Sequence, residues 1–347
     1  MTLVISIHPQ HIKKQRIRHA ATLIKQGGIV VFPTETVYGL GADAFNGKAI
    51  KKIFTAKGRP SNNPLIVHIA TYQQLHTVAA HIPHKARTLI RTFWPGPLTL
   101  ILKKAHHVPK EVTAGLNTVA VRIPNHPIAL ALIKQSRTAI AAPSANLSGK
   151  PSPTTAAHVF HDMNGKVDCI INGGTCKIGV ESTILDMTVD PPLLLRPGGI
   201  SIEQIEKILK QPIAFHPAVS HPKQKVSFAK APGMKYRHYA PKAQLILVEG
   251  KHHEVISKMD AFARMYKKKQ KKVGIIRCTS DGMLKKVDAT LFIGNTPQKV
   301  AHNLFTAFRT LDHKGMHIII AEGIDEKHIG LAVMNRMRKA ASRIIRV

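Results

Sequence analysis

The sequence predicts an α/β protein with two domains, and three observations support this. Short apolar runs alternate with amphipathic helical patterns over residues 1–210, as in mixed α/β folds. Residues 211–241 contain five prolines and little periodicity, so we predict a linker there. Strand and helix patterns resume over residues 242–347, which predicts a smaller Rossmann-like α/β domain. A chain of 347 residues is long enough to build both cores.

The charge balance is strongly basic. Lys and Arg number 51 against 19 Asp and Glu, which gives a formal net charge of +32. The excess is spread out, since residues 1–210 hold 25 basic and 10 acidic residues and residues 211–347 hold 26 and 9. Such a surplus favours an anionic partner, either a nucleotide or a nucleic acid. A generally basic proteome would give the same excess, so both explanations stay open.

Cysteine usage and hydropathy predict a cytoplasmic protein. Cys169, Cys176 and Cys278 fit no zinc-binding spacing, and an odd number argues against a disulfide framework. Reduced thiols are typical of the cytoplasm. The first residues lack the apolar region of a secretory signal, and no apolar stretch is long enough to span a bilayer. We therefore expect no membrane partner.

Helices and strands alternate in order through the first domain. Residues 9–26 form an amphipathic helix by pattern, residues 29–32 a buried strand, residues 49–56 a helix and residues 65–69 a second strand. Further helices are predicted at 71–80, 83–93, 125–134, 154–160 and 201–210, and further strands at 118–123, 140–142, 169–171 and 193–195, with two more following residues 95–97 and 181–183. Ser201 and Gln204 have the spacing of a capping box at the start of the last helix.

The sequence pattern of the second domain predicts the order strand, helix, strand, strand, helix, strand, helix. The predicted strands are 245–248, 273–276, 291–293 and 317–321, and the predicted helices are 253–266, 297–311 and 328–343. It contains no GxGxxG, so we do not predict a dinucleotide site. The basic run at 267–272 is more typical of a solvated helix end than of an RNA contact, although the charge of this half keeps RNA binding open.

Residues 27–69 hold the densest set of polar side chains at predicted strand and helix ends. They are Thr34, Glu35, Thr36, Lys57, Arg59, Asn63 and His68. Ligands of open α/β sheets bind at strand ends, and Lys with Arg beside glycine-rich backbone suits a polyphosphate. Taken singly, each residue has a structural explanation, because Gly and Pro punctuate loops and the helix dipole alone favours a terminal lysine. Their concentration in one segment favours a binding site.

A second polar loop follows the strand at 140–142. It carries Ser144, Asn146, Ser148 and Ser152, whose hydroxyl and amide groups could bind phosphate or carboxylate, although many loops have this composition. The sequence contains no Walker A motif, no GxSxG, no HExxH and no paired metal-ligand histidines. The candidate residues therefore suit charge neutralisation and positioning of substrates, and not covalent catalysis.

A resemblance to a known family rests on seven motifs in unbroken order over about residues 10–210. They are PTETVYGLGADA, AKGRPSNNPLIVHI, FWPGPLTLIL, TVAVRIPNHP, APSANLSGKPSPT, GVESTILD and LLRPGGIS. Together they resemble the YrdC-like threonylcarbamoyl-AMP synthases, and GMKYRHYAP with the C-terminal half is similar to the long, two-domain form. The resemblance implies a YrdC-like twisted mixed sheet around a basic cavity.

The resemblance also implies an activity. Members are nucleotidyltransferases that convert L-threonine, bicarbonate and ATP to L-threonylcarbamoyladenylate and pyrophosphate. The product serves formation of N6-threonylcarbamoyladenosine next to the anticodon, in tRNAs that read codons beginning with A. The expected partners are therefore ATP, L-threonine and bicarbonate, with tRNA or a downstream tRNA threonylcarbamoyl-transfer complex as a further candidate. Mg²⁺ is expected to accompany ATP, with no protein ligand assigned to it.

Site residues follow from the resemblance by motif position. Lys57 and Arg59 would be catalytic, with Lys57 facing the phosphates or the carbamate. L-Threonine would be held by Thr36, His68, Arg122, Ala142 and Ser182, with Arg122 pairing its carboxylate. ATP would be held by Arg59, Asn63, Thr118, Ser144, Ser152, Arg196 and Tyr236, and Tyr236 of the linker would close over the site.

Two alternative functions remain at this stage. One is a carbamoyl-adenylate transfer domain like that of hydrogenase maturation proteins, but such chains carry acylphosphatase and zinc-finger segments that this sequence lacks. The other is a non-catalytic module that binds double-stranded RNA or tRNA. A module of that kind would bind tRNA with a steep salt dependence and would release no pyrophosphate.

Overall fold

The fold comes from a computed structural model in which the chain divides into two compact units. The structure describes residues 1–220, 229–232, 234, 238–279 and 287–347. The first unit comprises Met1–Ser148 with Ser152–Tyr236, and the second comprises Gly149–Pro151 with Arg237–Val347.

The first unit contains a large sheet and the helices that cover it. Its strands are β1 Leu3–Ser6, β2 Val30–Phe32, β3 Gly39–Asp43, β4 Ile66–His68, β5 Ala79–His81, β6 Leu98–Lys104, β7 Thr118–Arg122, β8 Ile140–Ala142, β9 Cys169–Asn172, β10 Thr183–Asp186, β11 Leu193–Arg196 and β12 Ala214–Phe215. Its helices are α1 Lys14–Lys25, α2 Gly47–Lys57, α3 Tyr72–Val78, α4 His84–Phe93, α5 Lys110–Thr113, α6 Pro127–Ser136, α7 Ala156–Met163, α8 Ile202–Leu209 and α9 Pro217–Ser220.

The strands form one twelve-stranded sheet with mixed directions. Its order is β1-β9-β2-β3-β8-β4-β7-β6-β10-β11-β12, with β5 paired to β6. The β4–β7 pair is parallel, whereas β7 runs antiparallel to β6 and β4 runs antiparallel to β8. Adjacent strands rotate relative to each other, so a sheet of this width is strongly twisted. The predicted twisted mixed sheet is confirmed.

Helices α1 and α6 pack on one part of this sheet. Helix α1 buries Ile17, Ala20, Ala21 and Ile24, which recur at helical spacing on one face. They join Phe32 of β2 in one apolar cluster with the buried face of α6. Full burial of a large apolar side chain contributes about 1.5–3 kcal/mol, so this cluster anchors the strand that leads into the candidate site.

Strand β3 is not predicted by the sequence pattern, because two of its residues are glycines. A Cβ at Gly41 would lie 2.5 Å from Ile140 Cγ2 and 2.7 Å from Phe32 Cε1. Glycine is thus required where β3 passes between these side chains, although glycine itself gives no strand signal. Strand β1 is also absent from the sequence prediction, and it pairs with the distant β9.

In its described residues, the second unit consists of a five-stranded sheet and three helices. Its strands are β13 Gln244–Glu249, β14 Val273–Arg277, β15 Ala289–Phe292, β16 Ile318–Glu322 and β17 Arg343–Arg346, and its helices are α10 His252–Lys268, α11 Pro297–His313 and α12 Gly330–Ala340. The order is β15-β14-β16-β13-β17, and all four pairs are parallel. The predicted small Rossmann-like domain is confirmed.

Two details of helix boundaries can be compared with the sequence. The capping box of α8 is present, since Ser201 Oγ accepts from the Gln204 amide and the Gln204 side chain accepts from the Ser201 amide. The last predicted helix is too long, because α12 ends at Ala340 and β17 then pairs with β13.

Within the described part of the chain, no helix is both long and apolar enough to cross a bilayer.

Candidate active site

Three of the residues expected to hold threonine lie together at the ends of neighbouring strands. His68 and Arg122 are the last residues of β4 and β7, and they are opposite each other in the parallel register. Thr36 lies in the β2–β3 connection, where its Oγ1 accepts a hydrogen bond of 3.1 Å from Arg122 Nη1. The topology of the sheet therefore builds one polar recess from three separate segments.

Backbone hydrogen bonds to residues 178 and 179 hold the β2–β3 connection, which carries Thr36, in place. The carbonyl of Glu35 accepts from the Ile178 amide at 2.8 Å, and the carbonyl of Thr36 accepts from the Gly179 amide at 3.2 Å. Thr36 Oγ1 also lies 2.8 Å from Thr34 Oγ1. These bonds hold the Thr36 hydroxyl in place before any ligand arrives.

Arg122 forms a buried ion pair with Glu35, to which the sequence assigned no role. Arg122 Nη2 donates to Glu35 Oε2 at 2.6 Å, and the two side chains are only 3% and 7% exposed. Burial lowers the pKa of Arg122 from its ordinary value, while the Glu35 charge raises it. The sequence could have drawn attention to Glu35, because it is the first acidic residue of a strongly basic chain.

His68 is a neutral, buried imidazole. Its Nδ1 lies 3.1 Å from the Ile66 carbonyl oxygen, which can only accept a hydrogen bond. The ring also meets Phe32 edge to face with centroids 5.9 Å apart. Burial, and then the positive charge of Arg122, lower the pKa of His68 to about 3. His68 therefore adds shape and polarity to the recess at neutral pH, but no charge.

The other two residues of the threonine set lie at different places. Ser182 directly precedes β10, and its Oγ lies 2.8 Å from Thr99 Oγ1 and accepts from Arg196 Nη2 at 3.2 Å. It therefore contacts a residue of the expected ATP set. Ala142 ends β8 opposite Ile66, two residues along β4 from His68, which corresponds to about 7 Å.

Lys57 joins the end of α2 to the loop that follows β8. Gly58 adopts the left-handed conformation that ends α2. Lys57 is 3% exposed, and its ammonium donates to the backbone carbonyls of Ser144, at 2.5 Å, and Asn146. Ser144 Oγ in turn donates to Asn146 Oδ1 at 2.6 Å. The two polar segments that the sequence singled out are thus in direct contact.

Arg59 and Asn63 form a second polar group just after α2. Arg59 Nη2 donates to the backbone carbonyls of Asn63 and Pro64, each at 3.1 Å. Asn63 is 1% exposed, and neither atom of its side-chain amide has a partner among the described residues. Buried amides are almost always hydrogen-bonded, so this one fits a site that a ligand completes.

The remaining members of the ATP set are spread over several elements. Ser152 Oγ donates to Glu181 Oε1 at 2.5 Å, and Arg196 donates to the Ser182 carbonyl at 3.0 Å. Thr118 begins β7 and Arg122 ends it, so their backbones lie about 13 Å apart. Tyr236 lies outside the described residues.

The side chains near these groups do not form a metal site built by the protein. In the described ranges, no three His, Cys, Asp or Glu side chains come close enough to hold a metal ion. Lys57 and Arg59 both donate to backbone carbonyl oxygens. With two cations beside these oxygens and no carboxylate cluster among the described residues, the set does not fit a resident divalent cation.

Comparison with known proteins covers both units. Residues 22–198 match the family model of Sua5, yciO and yrdC, whose description is telomere recombination, and residues 200–342 match that of the threonylcarbamoyl-AMP synthase C-terminal domain. A threonylcarbamoyl-AMP synthase of Pyrococcus abyssi is 53% identical over 348 residues, which covers 100% of each chain. One of Bacillus subtilis is 48% identical and covers 95% of this chain and 94% of its own.

Solved structures agree with these matches. The crystal structure of P. abyssi Sua5 complexed with L-threonine has a TM-score of 0.95 at 52% identity, with 100% of both chains covered. E. coli YciO has a TM-score of 0.54 at 25% identity and covers 59% of this chain and 100% of its own. The full-length identity, the two matched domains and the shared fold show that the chain belongs to the threonylcarbamoyl-AMP synthase family.

Proposed function

We propose that the chain catalyses synthesis of L-threonylcarbamoyladenylate and pyrophosphate from L-threonine, bicarbonate and ATP. One observation carries the proposal: Arg122 and Thr36 form a hydrogen-bonded recess beside His68. A guanidinium with a hydroxyl and a neutral imidazole suits the carboxylate and hydroxyl of threonine. The structure of P. abyssi Sua5 complexed with L-threonine supports threonine as a ligand of this chain.

The proposed chemistry needs alignment of substrates more than reactive groups of the protein. The threonine ammonium releases a proton to solvent, its nitrogen then forms a bond to the bicarbonate carbon, and water leaves. An oxygen of the resulting carbamate then attacks the α-phosphorus of ATP, the bond to the β-phosphate oxygen breaks, and pyrophosphate departs. The reaction is therefore a nucleotidyl transfer in which the substrates supply the nucleophile and the leaving group.

The proposed work of the protein is to hold the substrates and to stabilise negative charge. Lys57 and Arg59 lie at the end of α2, next to the loop of Ser144, and would bind the phosphates and the carbamate. The Asn63 amide, which lacks a partner in the described part of the chain, would bind ATP. Each charge-assisted hydrogen bond of this kind contributes roughly 1.5–3 kcal/mol. Ala142, Ser182, Thr118, Ser152, Arg196 and Tyr236 keep the roles assigned by motif position.

Mg²⁺ would accompany ATP as part of the substrate, since no metal-binding cluster is found in the described residues. It would neutralise phosphate charge when bound. The product would serve threonylcarbamoylation of tRNA, either through tRNA itself or through a downstream transfer complex. The net charge of +32 favours an encounter with such anionic partners.

The central test is pyrophosphate release by the purified chain. Release should require ATP, threonine and bicarbonate together, and it should need no RNA. Lys57→Ala should lower the rate at least a hundredfold, because it removes a buried cation from the phosphate region. Lys51→Ala is the matched control, since Lys51 lies on the same helix but is 70% exposed and pairs with Glu111 at the surface.

Two results would contradict the proposal. Pyrophosphate release that persists without threonine would mean that threonine is not the acceptor. Tight, strongly salt-dependent tRNA binding without any turnover would instead favour the RNA-binding module. Equal rates for Lys57→Ala and Lys51→Ala would refute the placement of the phosphates.

A further inference from the structure

A buried ion pair lies inside the recess that we assign to threonine. The carboxylate of Glu35 and the guanidinium of Arg122 are 2.6 Å apart and almost completely shielded from water. Ions buried to this extent are tolerated only when opposite charge and hydrogen bonds compensate them. The charge of the recess is therefore a property of the pair and not of Arg122 alone.

Two titratable groups near this pair carry no charge at neutral pH. His68, opposite Arg122 in the sheet register, is neutral at pH 7 because burial and Arg122 lower its pKa to about 3. Cys176 lies close enough to interact with both members of the pair, and its thiol stays neutral because burial raises its pKa. The recess therefore combines one positive and one negative charge and is neutral overall.

Each member of the pair keeps one buried polar atom without a partner among the described residues. These are Nε of Arg122, which donates, and Oε1 of Glu35, which accepts. The two other guanidinium nitrogens, Nη1 and Nη2, already donate to Thr36 Oγ1 and Glu35 Oε2. An α-amino acid has the complementary pattern, because its carboxylate accepts, its ammonium donates and its net charge is zero.

We propose that Glu35 is the residue that selects an amino-acid zwitterion in this recess. Its negative charge attracts the ammonium group of threonine while Arg122 holds the carboxylate. The inference rests on the assignment of the threonine carboxylate to Arg122. A hydroxy acid that lacks the amine would bring an uncompensated negative charge into a neutral, buried site, and an amino alcohol that lacks the carboxylate would bring an uncompensated positive charge.

The test is calorimetric titration of the full chain with three ligands of different charge. They are L-threonine, its anionic des-amino analogue 3-hydroxybutanoate and its cationic des-carboxy analogue 1-amino-2-propanol. The wild-type chain should bind threonine at least about tenfold more tightly than either analogue, as expected for loss of one charge-assisted interaction. This comparison requires no variant and so does not depend on folding of a mutant.

Variants then locate the source of the discrimination. Glu35→Gln keeps the shape but removes the negative charge, so the preference for threonine over 3-hydroxybutanoate should fall about tenfold or more. Glu35→Asp should retain that preference, because the charge remains. Glu254→Gln is the matched control, because it removes a carboxylate that is 41% exposed and lies in the other unit. It should leave the affinities for all three ligands unchanged. Circular dichroism establishes that each variant is folded.

The outcomes separate the inference from the proposed function. A wild-type chain that binds threonine and 3-hydroxybutanoate equally well overturns the inference, and so does an unchanged preference in folded Glu35→Gln. In both cases the proposed threonine site survives. A wild-type chain that binds none of the three ligands overturns the proposed function and the inference together.

Discussion

Few of the basic side chains in this chain are buried, and three of them belong to the candidate site. Lys57, Arg122 and Arg196 are 3–4% exposed, in a protein with 51 lysines and arginines. Each is held by oxygen atoms, either backbone carbonyls or the side chains of Glu35, Thr36 and Ser182. Cations held in this way are positioned before the substrate arrives, and they act in surroundings where water screens them little. Burial and these contacts distinguish the three cations from the exposed ones, although Arg277, Arg336 and Lys339 of the second unit are buried as well.

The buried neutral state of His68 predicts a specific pH dependence of stability. Its pKa is about 3 in the folded chain and 6.5 ordinarily, so between these values only the unfolded chain takes up the proton. Lowering the pH from 7 to 5 should therefore reduce the free energy of unfolding by about 2 kcal/mol through this residue. In His68→Gln this contribution should be missing, and the loss of stability on acidification should be smaller.

Urea unfolding at the two pH values measures this effect. His253→Gln is the control, because His253 is 79% exposed and its replacement should preserve the wild-type dependence. The same change in unfolding free energy for wild type and His68→Gln would contradict the buried neutral state.

At the scale of elements, the site depends on where strands and helices end. The recess lies at the ends of β4 and β7 and takes in the β2–β3 connection, while the predicted phosphate-binding residues lie at the end of α2. Strand β3 lies between β2 and β8, so its close fit places that connection. A change in the packing of β3 should therefore shift Thr36 and Glu35 within the site.

Two glycines of β3 offer a test of that fit. Gly41→Ala should lower the free energy of unfolding by about 1–3 kcal/mol, because its Cβ would lie 2.5 Å from Ile140. Gly39→Ala is the matched control on the same strand, where the nearest atom would be 3.3 Å away, and it should have a smaller effect. Chemical denaturation compares the two, and equal destabilisation would argue against the tight packing at position 41.

A cavity also lies at the strand ends of the second unit, but the carboxylates Glu249 and Glu322 that line it are already paired. The cavity has a volume of about 700 Å³ and is lined by residues after β13, β14 and β16, where ligands of parallel sheets usually bind. Glu322 accepts from Arg277 and from the Cys278 amide, and Glu249 accepts from Arg338. These carboxylates therefore serve the structure of the domain.

At the scale of the whole molecule, part of the predicted linker belongs to the core of the first unit. Ala229, Ala231 and Met234 pack in one apolar cluster with Ile66 and Ile184. The Pro232 carbonyl also accepts a 3.4 Å hydrogen bond from Arg196 Nη1. Residues 229–232 and Met234 thus contact the sheet and one residue of the expected ATP set.

Two shortened chains test the role of this segment. A chain ending at residue 210 should melt several degrees below one that ends at residue 241, because it loses these buried side chains. Its pyrophosphate release should also be lower, since Arg196 would lose a partner. Thermal melting and the release assay compare the two chains. Equal melting temperatures and equal rates would show that the segment contributes nothing to the first unit.

The local sequence determined the class of the fold and the location of the polar segments. Apolar runs predicted most strands, helical spacing predicted α1 and α6, and the Ser201–Gln204 spacing predicted the cap of α8. These signals lie within a few residues of one another, so they can be read without knowing the fold. The concentration of polar groups over residues 27–69 likewise marked the candidate site.

Only the tertiary structure decided how those segments meet. The Glu35–Arg122 pair joins residues 87 positions apart, and β1 pairs with β9 across more than half of the first unit. Strand β3 pairs with β2 and β8 although its own residues favour a turn, and Ile140 and Phe32 leave room for glycine alone at position 41. Such contacts depend on the register of distant strands, and that register is set by cooperative packing of the whole sheet and not by any local pattern.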